Sequence, residues 1–210
     1  MVIVGLTGSI GMGKSTAAAM LRRLGVPLFD ADAAVHRMLA PGGNAVAEVE
    51  AAFPGVRNEY GGIERPALGR RVFGQPAEMR RLEGILHPRV RVAERRFVAG
   101  CRARHASVAV LDIPLLFETG RDRRCDAIVV VTAPAWLQRA RVMRRPGMSD
   151  SRYRAILAAQ TPDAEKRRRA DFVVSTGLGK AATLRRLKAM VTLLRRGQWR
   201  RKDGRRPAPW

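Results

Sequence analysis

The chain has 210 residues, enough for one domain with a sizeable core and a small insertion. No apolar run reaches the roughly 18 residues of a transmembrane helix, and the chain enters a strand-like run without a charged leader, so neither a membrane span nor a signal peptide is expected. The formal charge of +22 attracts polyanions, either nucleic acid or phosphate-rich small molecules, while an aromatic content of 5% argues against a single-strand stacking platform.

Residues 2–6 form an apolar run that reads as a buried strand. Gly8-Ser9-Ile10-Gly11-Met12-Gly13-Lys14-Ser15 follows, a complete G-x-x-x-x-G-K-[ST] phosphate loop, and residues 16–24 then read as a helix. This strand, loop and helix arrangement lets backbone N–H groups turn around phosphate oxygens at a helix N-terminus. The nucleotide-binding candidates are Gly8, Gly11, Met12, Gly13, Lys14, Ser15 and Thr16. Lys14 can reach the β- and γ-phosphates, and the Ser15 hydroxyl can sit on Mg²⁺.

Residues 26–29 read as a second strand ending in Asp30-Ala31-Asp32, and a helix continues to about Leu39. Asn44 can cap another helix reaching about Phe53. From Arg65 to Arg104 the pattern is helical, with breaks expected at Gln75-Pro76 and His87-Pro88. Residues 107–111 and 127–131 read as buried parallel strands, the first ending at Asp112. Helices are expected over 134–143 and 150–160, a fifth strand over 172–174, and an amphipathic helix over 180–196. The remaining tail, 197–210, is basic and expected to be solvated and mobile. Strands alternating with helices imply a three-layer α/β fold with a parallel five-stranded sheet.

In such sheets ligands gather at the C-terminal strand edge, where Asp30, Asp32 and Asp112 fall. Asp32 is a candidate base for transfer to an alcohol, with helix capping as the competing role. Asp112 can hold Mg²⁺ or merely end its strand. Arg141 and Arg145, four apart, share a helix face; they either close over a triphosphate or form an ordinary basic surface. His36 and His87 lack metal-ligand spacing. Cys101 and Cys125 fit two reduced, buried thiols in the cytoplasm. Only five of the forty basic residues are lysines, and the arginines are scattered. An arginine-rich composition with anionic substrates therefore explains the charge better than dedicated nucleic-acid binding; incidental nucleic-acid binding is compatible with it.

Taken together, these segments resemble the dephospho-CoA kinase family from Val2 to about Arg195. The resemblance rests on Gly5 to Thr16, Asp30-Ala31-Asp32 with Arg37, and Ile85-Leu86-His87-Pro88. It continues through Pro114-Leu115-Leu116-Phe117-Glu118, Arg141, Arg145, the run from Ile156 to Gln160, and Ala170 to Val174. It implies a P-loop NTPase-type kinase domain over 1–196, with a core of 1–40 and 105–196. A helical acceptor-binding insertion would span about 41–104 and a lid about 141–160. It also implies ATP as donor, Mg²⁺, and the ribose 3′-hydroxyl of dephospho-CoA as acceptor. By matching position, Asp32 would be the base and Lys14 the phosphate ligand. Ser15 would hold Mg²⁺, with Arg141 and Arg145 in the lid. Arg37, His87 and the Pro114, Leu115 and Glu118 segment would form the acceptor side. Ser9 stands where the family has Gly, Met12 where a small residue is usual, and Ser175-Thr176-Gly177 where Asp or Asn is usual.

Overall fold

The computed structural model describes residues 1–199; most of the basic tail lies outside the described residues. Five strands form one sheet in the order β2-β3-β1-β4-β5: β1 (Val2–Thr7), β2 (Leu28–Asp30), β3 (Val108–Asp112), β4 (Ala127–Thr132) and β5 (Phe172–Ser175). β1 runs parallel to both β3 and β4, with Leu6 opposite Asp112 and Thr7 opposite Val130, and β4 runs parallel to β5. The strands are apolar up to their C-terminal residues, Thr7, Asp30, Asp112, Thr132 and Ser175, as expected for a parallel sheet covered by helices. Since β1 lies between β3 and β4, the chain crosses to opposite sides of it, which opens a crevice at its C-terminal end.

The chain divides into two compact units. The first comprises Met1–Phe29 and the chain from Cys101 onward, and contains the sheet apart from Asp30 at the end of β2. Its helices are α1 (Lys14–Arg23), α6 (Ala135–Met143), α7 (Asp150–Ala158), α8 (Asp163–Arg169) and α9 (Lys180–Arg195). Its core joins Val4, Leu6, Val110, Val129 and Val131 of the sheet to Ala17, Ala18 and Leu21 of α1 and Leu187, Val191 and Leu194 of α9. Leu184 sits only at the edge of that face, so the α9 stripe is as expected but rotated slightly toward Leu187 and Val191.

The second unit, Asp30–Gly100, is helical. It holds α2 (Ala31–Leu39), α3 (Val46–Ala52), α4 (Arg65–Val72) and nearly all of α5 (Pro76–Ala103). Asp30 caps α2, its Oδ1 accepting from Ala33 N at 2.9 Å. Asn44 does not cap α3: the N-cap is the buried Ala45, without a side-chain bond, while the Asn44 carbonyl accepts from Arg89 Nε at 3.2 Å.

Two expectations about helices fail for local reasons. No break occurs at His87-Pro88; α5 runs 28 residues straight through Pro88. An interior proline costs roughly 3 kcal/mol. Here the buried side chains Leu82, Ile85, Leu86 and Val90 flank it on both sides, so burial outweighs the lost backbone bond. Between Gln160 and β5, where no helix is expected, α8 forms with only Lys166 buried. A seven-residue helix charged on almost every face gives no apolar period to read.

The packing of α9 on the sheet makes a direct stability forecast. Leu187 is completely buried. Leu187→Ala should lower unfolding free energy by about 2–5 kcal/mol in a urea titration; a loss below about 1 kcal/mol would show that α9 is not a core helix.

Candidate active site

The phosphate loop joins β1 to α1 and is held in shape from three directions. Gly11 and Gly13 adopt φ of +76° and +86°, the left-handed region that glycine enters freely. Gly13 ends the loop as the N-cap of α1, so the first turn's N–H groups open onto the loop. Loop residue Met12 N donates to Ser9 O at 3.1 Å.

Two glutamines hold the Ile10 peptide groups. Gln138 Nε2 donates to Ile10 O at 2.8 Å, and Gln160 Oε1 accepts from Ile10 N at 3.1 Å. Thr176, just beyond β5, donates its hydroxyl proton to Met12 O at 2.8 Å. Met12 is buried, and its sulfur lies 3.0 Å from Ala133 N, accepting that proton. The Met12 side chain thus packs into the core, and only its backbone remains for phosphate. Gln138 and Thr176 carry no motif in the sequence; their partners are far along the chain.

Lys14 Nζ forms an ion pair with Asp112 Oδ1 at 2.5 Å. β1 and β3 are neighbours with Leu6 opposite Asp112, so adjacency in the sheet brings the carboxylate to the loop lysine. Ser15 and Thr16 follow on the exposed side of α1.

Arg141 lies on α6, directed at the loop. Its Nη1 donates to Thr176 Oγ1 at 2.9 Å and to Gly11 O at 3.4 Å, while Nη2 donates to Thr176 O at 3.0 Å. Arg145 lies past the Arg144 C-cap that ends α6, so the two arginines do not share a helix face. It is exposed, and among the described residues its side chain makes no hydrogen bond or ion pair, while its backbone N donates to Val142 O at 3.0 Å. Beyond it the chain turns at Gly147 and enters α7, capped by Ser149, whose Oγ accepts from Arg152 N. Arg139 and Asp150 pair at 2.8 Å between α6 and α7.

The Pro114–Glu118 segment is largely occupied by the fold. Pro114 O accepts from Thr7 Oγ1 at 2.9 Å. Glu118 Oε1 accepts from Thr161 N at 2.8 Å and lies 2.9 Å from the fully buried Lys166 Nζ. Burial alone would raise the Glu118 carboxyl. It is outweighed by the Lys166 hydrogen bond, backbone N–H groups of Glu118 and Thr161, and the Lys166 charge, so the group lies below the usual carboxylate range. Leu115 is the exposed member of the segment.

In the second unit, Asp32 stands exposed in the first turn of α2, with no partner among the described residues. Asp30 has taken the cap, so capping does not account for Asp32. Arg37 lies exposed on the same helix, and His87 is exposed on α5 just before Pro88. Among the described residues no cluster of three or more His, Cys, Asp or Glu is placed to hold a metal ion by itself.

A model of the dephospho-CoA kinase family matches residues 2–180. A dephospho-CoA kinase of Rhodospirillum rubrum is 55% identical over 202 residues, covering 95% of this chain and 96% of that protein. One from Paramagnetospirillum magneticum is 60% identical over 195 residues, covering 93% and 92% respectively. Among solved structures, the Thermus thermophilus protein TT1252 superposes with a TM-score of 0.76 at 39% identity, covering 91% of this chain and 96% of its own. The dephospho-CoA kinase of Campylobacter jejuni gives 0.71 at 24% identity, covering 94% and 98%, and supports the fold.

The Lys166–Glu118 pair gives the site a measurable pH dependence. A carboxyl lowered on folding contributes stability above its unfolded value of about 4.3, and that contribution is lost as pH falls through the folded value. Glu118→Gln leaves the buried Lys166 uncompensated, so at pH 7 it should cost on the order of 3 kcal/mol. The gap between wild type and variant should narrow below about pH 4. Denaturant titrations at both pH values test this; a gap that stays constant with pH would refute it.

Proposed function

The chain belongs to the dephospho-CoA kinase family, and from that premise we propose how its residues carry ATP-dependent phosphorylation of the ribose 3′-hydroxyl of dephospho-CoA to coenzyme A. The observation that carries the proposal is the phosphate loop, with glycines in the left-handed region and Lys14 paired to Asp112 at the edge of the sheet.

The loop N–H groups and the start of α1 bind the phosphates of ATP. Lys14 leaves or shares Asp112 to meet the β- and γ-phosphates as a point charge. Mg²⁺ fits the donors present, since the Ser15 hydroxyl and the Asp112 carboxylate are hard oxygen ligands, and the ion would neutralise phosphate charge there. A site with few protein ligands suits an ion held jointly with substrate phosphates.

Asp32 accepts the proton of the acceptor hydroxyl. The acceptor oxygen forms its bond to the γ-phosphorus while the bond to the bridging oxygen breaks, and that electron pair leaves with ADP. Arg37, His87 and the exposed Leu115 serve the acceptor, whereas Glu118 secures its segment through Lys166. Arg141 and Arg145 act on transferring charge from the segment over 141–160, and closure of that segment excludes water so that ATP is not hydrolysed. The charge of +22 helps gather two polyanionic substrates, and any nucleic-acid binding is a by-product of it. A cytoplasmic setting goes with this reading; Cys101 and Cys125 are both free thiols.

A coupled assay offering ATP with dephospho-CoA, AMP, CMP or pantothenate should show turnover of the first alone. Asp32→Asn should then reduce kcat by roughly 10²–10⁴ while both substrates still bind. Asparagine caps a helix as well as aspartate. A loss below about threefold would therefore remove Asp32 from catalysis, since it falls far outside the general-base span.

A further inference from the structure

Thr176 bears no motif, yet its single hydroxyl connects three parts of the site. It is 7% exposed. Its proton has two carbonyl acceptors, Met12 O at 2.8 Å and Thr132 O at 3.4 Å, and the shorter contact is to the phosphate loop. With the proton engaged there, the oxygen's lone pair is left to receive Arg141 Nη1 at 2.9 Å. The carbonyl of the same residue receives Nη2 at 3.0 Å. One residue therefore grips both ends of the guanidinium fork, which fixes its plane as well as its position. The fit is close on the loop side too, where a β-carbon on Gly13 would lie 2.9 Å from Thr176 Oγ1.

We propose that Thr176 is a positioning residue for phosphoryl transfer: Met12 O orients its hydroxyl, and the hydroxyl in turn holds Arg141 against the phosphate loop. The proposal rests on the reading of Arg141 as the residue that meets transferring charge. An arginine has many rotamers, and ordering one during the reaction lowers the rate. Thr176 orders it beforehand. The loop and the arginine are thereby set by one group, so a shift in either is felt by the other.

The test compares turnover, KM for ATP and melting temperature across Thr176→Val, Thr176→Ser, Arg141→Ala and the Thr176→Val, Arg141→Ala double variant. Valine keeps the shape but neither donates nor accepts. Its kcat should fall roughly tenfold or more, the worth of one oriented hydrogen bond to a charged group. KM for ATP should change less. Serine keeps the hydroxyl and should restore kcat to within about threefold of wild type. In the Arg141→Ala background the valine substitution should cost little more, because its route of action is already gone. If valine does not fold, Thr176→Cys, with its weak donor and acceptor, carries the same expectation.

Wild-type kcat in folded Thr176→Val, beside a slow Arg141→Ala, overturns this inference alone. An equal loss from valine with and without Arg141 also overturns it. Full activity in Arg141→Ala overturns the reading of Arg141 and this inference together.

Discussion

A β-carbon on Gly11 would come within 2.6 Å of Val142 Cγ2 and 2.9 Å of Gln138 O, and one on Gly13 would meet Thr176 at 2.9 Å. Contacts that short force something to move, and at Gly11 part of the obstacle is backbone of α6. The positive φ at both residues forbids ordinary side chains for a second reason. The glycine spacing of the loop therefore follows from neighbours as much as from phosphate. α6 approaches the loop closely enough for Gln138 and Arg141 to bond its carbonyls, and the turn after β5 approaches closely enough for Thr176 to bond Met12. Remove the glycines and those elements must retreat, taking the arginine with them.

The segment over 141–160 is tied to the loop near both of its ends. Arg141 reaches Gly11 O, and Gln160 reaches Ile10 N. Just past Gln160, Thr161 N and the buried Lys166 are fastened to Glu118. Between the two ends the turn around Arg145 and Gly147 is exposed, as is much of α7, while Tyr153 is buried. Within the segment, Asp150 at the start of α7 is paired to Arg139 of α6. The Ile10 amide and the Gly11 carbonyl of the loop are thus partners of the two ends of this segment.

What could be read from the sequence depends on how local the cause is. The phosphate loop was legible because its backbone conformation demands glycine at fixed spacing within eight residues. The buried strands were legible as apolar runs, and Asp112 as the residue that ends one of them. The two acids after β2 were legible as a pair but not as a division of labour; the bond from Asp30 to Ala33 was needed to free Asp32 from capping. Pro88 misleads because a local rule does not see the four apolar residues buried around it. Thr176 falls in a stretch marked only by its departure from the family's Asp or Asn, and its bonds to Arg141, 35 positions away, and to Met12, 164 away, leave no local signal. Glu118 belonged to a recognisable segment, but its partner Lys166 sits in a helix that no apolar period announces.

Lysine usage sharpens the chemical picture. Only five of forty basic residues are lysines, so a lysine in this chain stands against its own composition. Two of the five are buried or half-buried against a carboxylate: Lys14 against Asp112, and Lys166 against Glu118. On an exposed face either cation keeps its hydration and solubilises equally well. Inside a loop eight residues long, a guanidinium fork would need a planar, two-oxygen partner, whereas an ammonium can exchange one carboxylate oxygen for phosphate oxygens from several directions. At Lys166, with no side-chain exposure, the slim stem can pack among apolar neighbours and deliver a single compact charge to Glu118. The two paired lysines thus stand at local positions that arginine's geometry meets poorly.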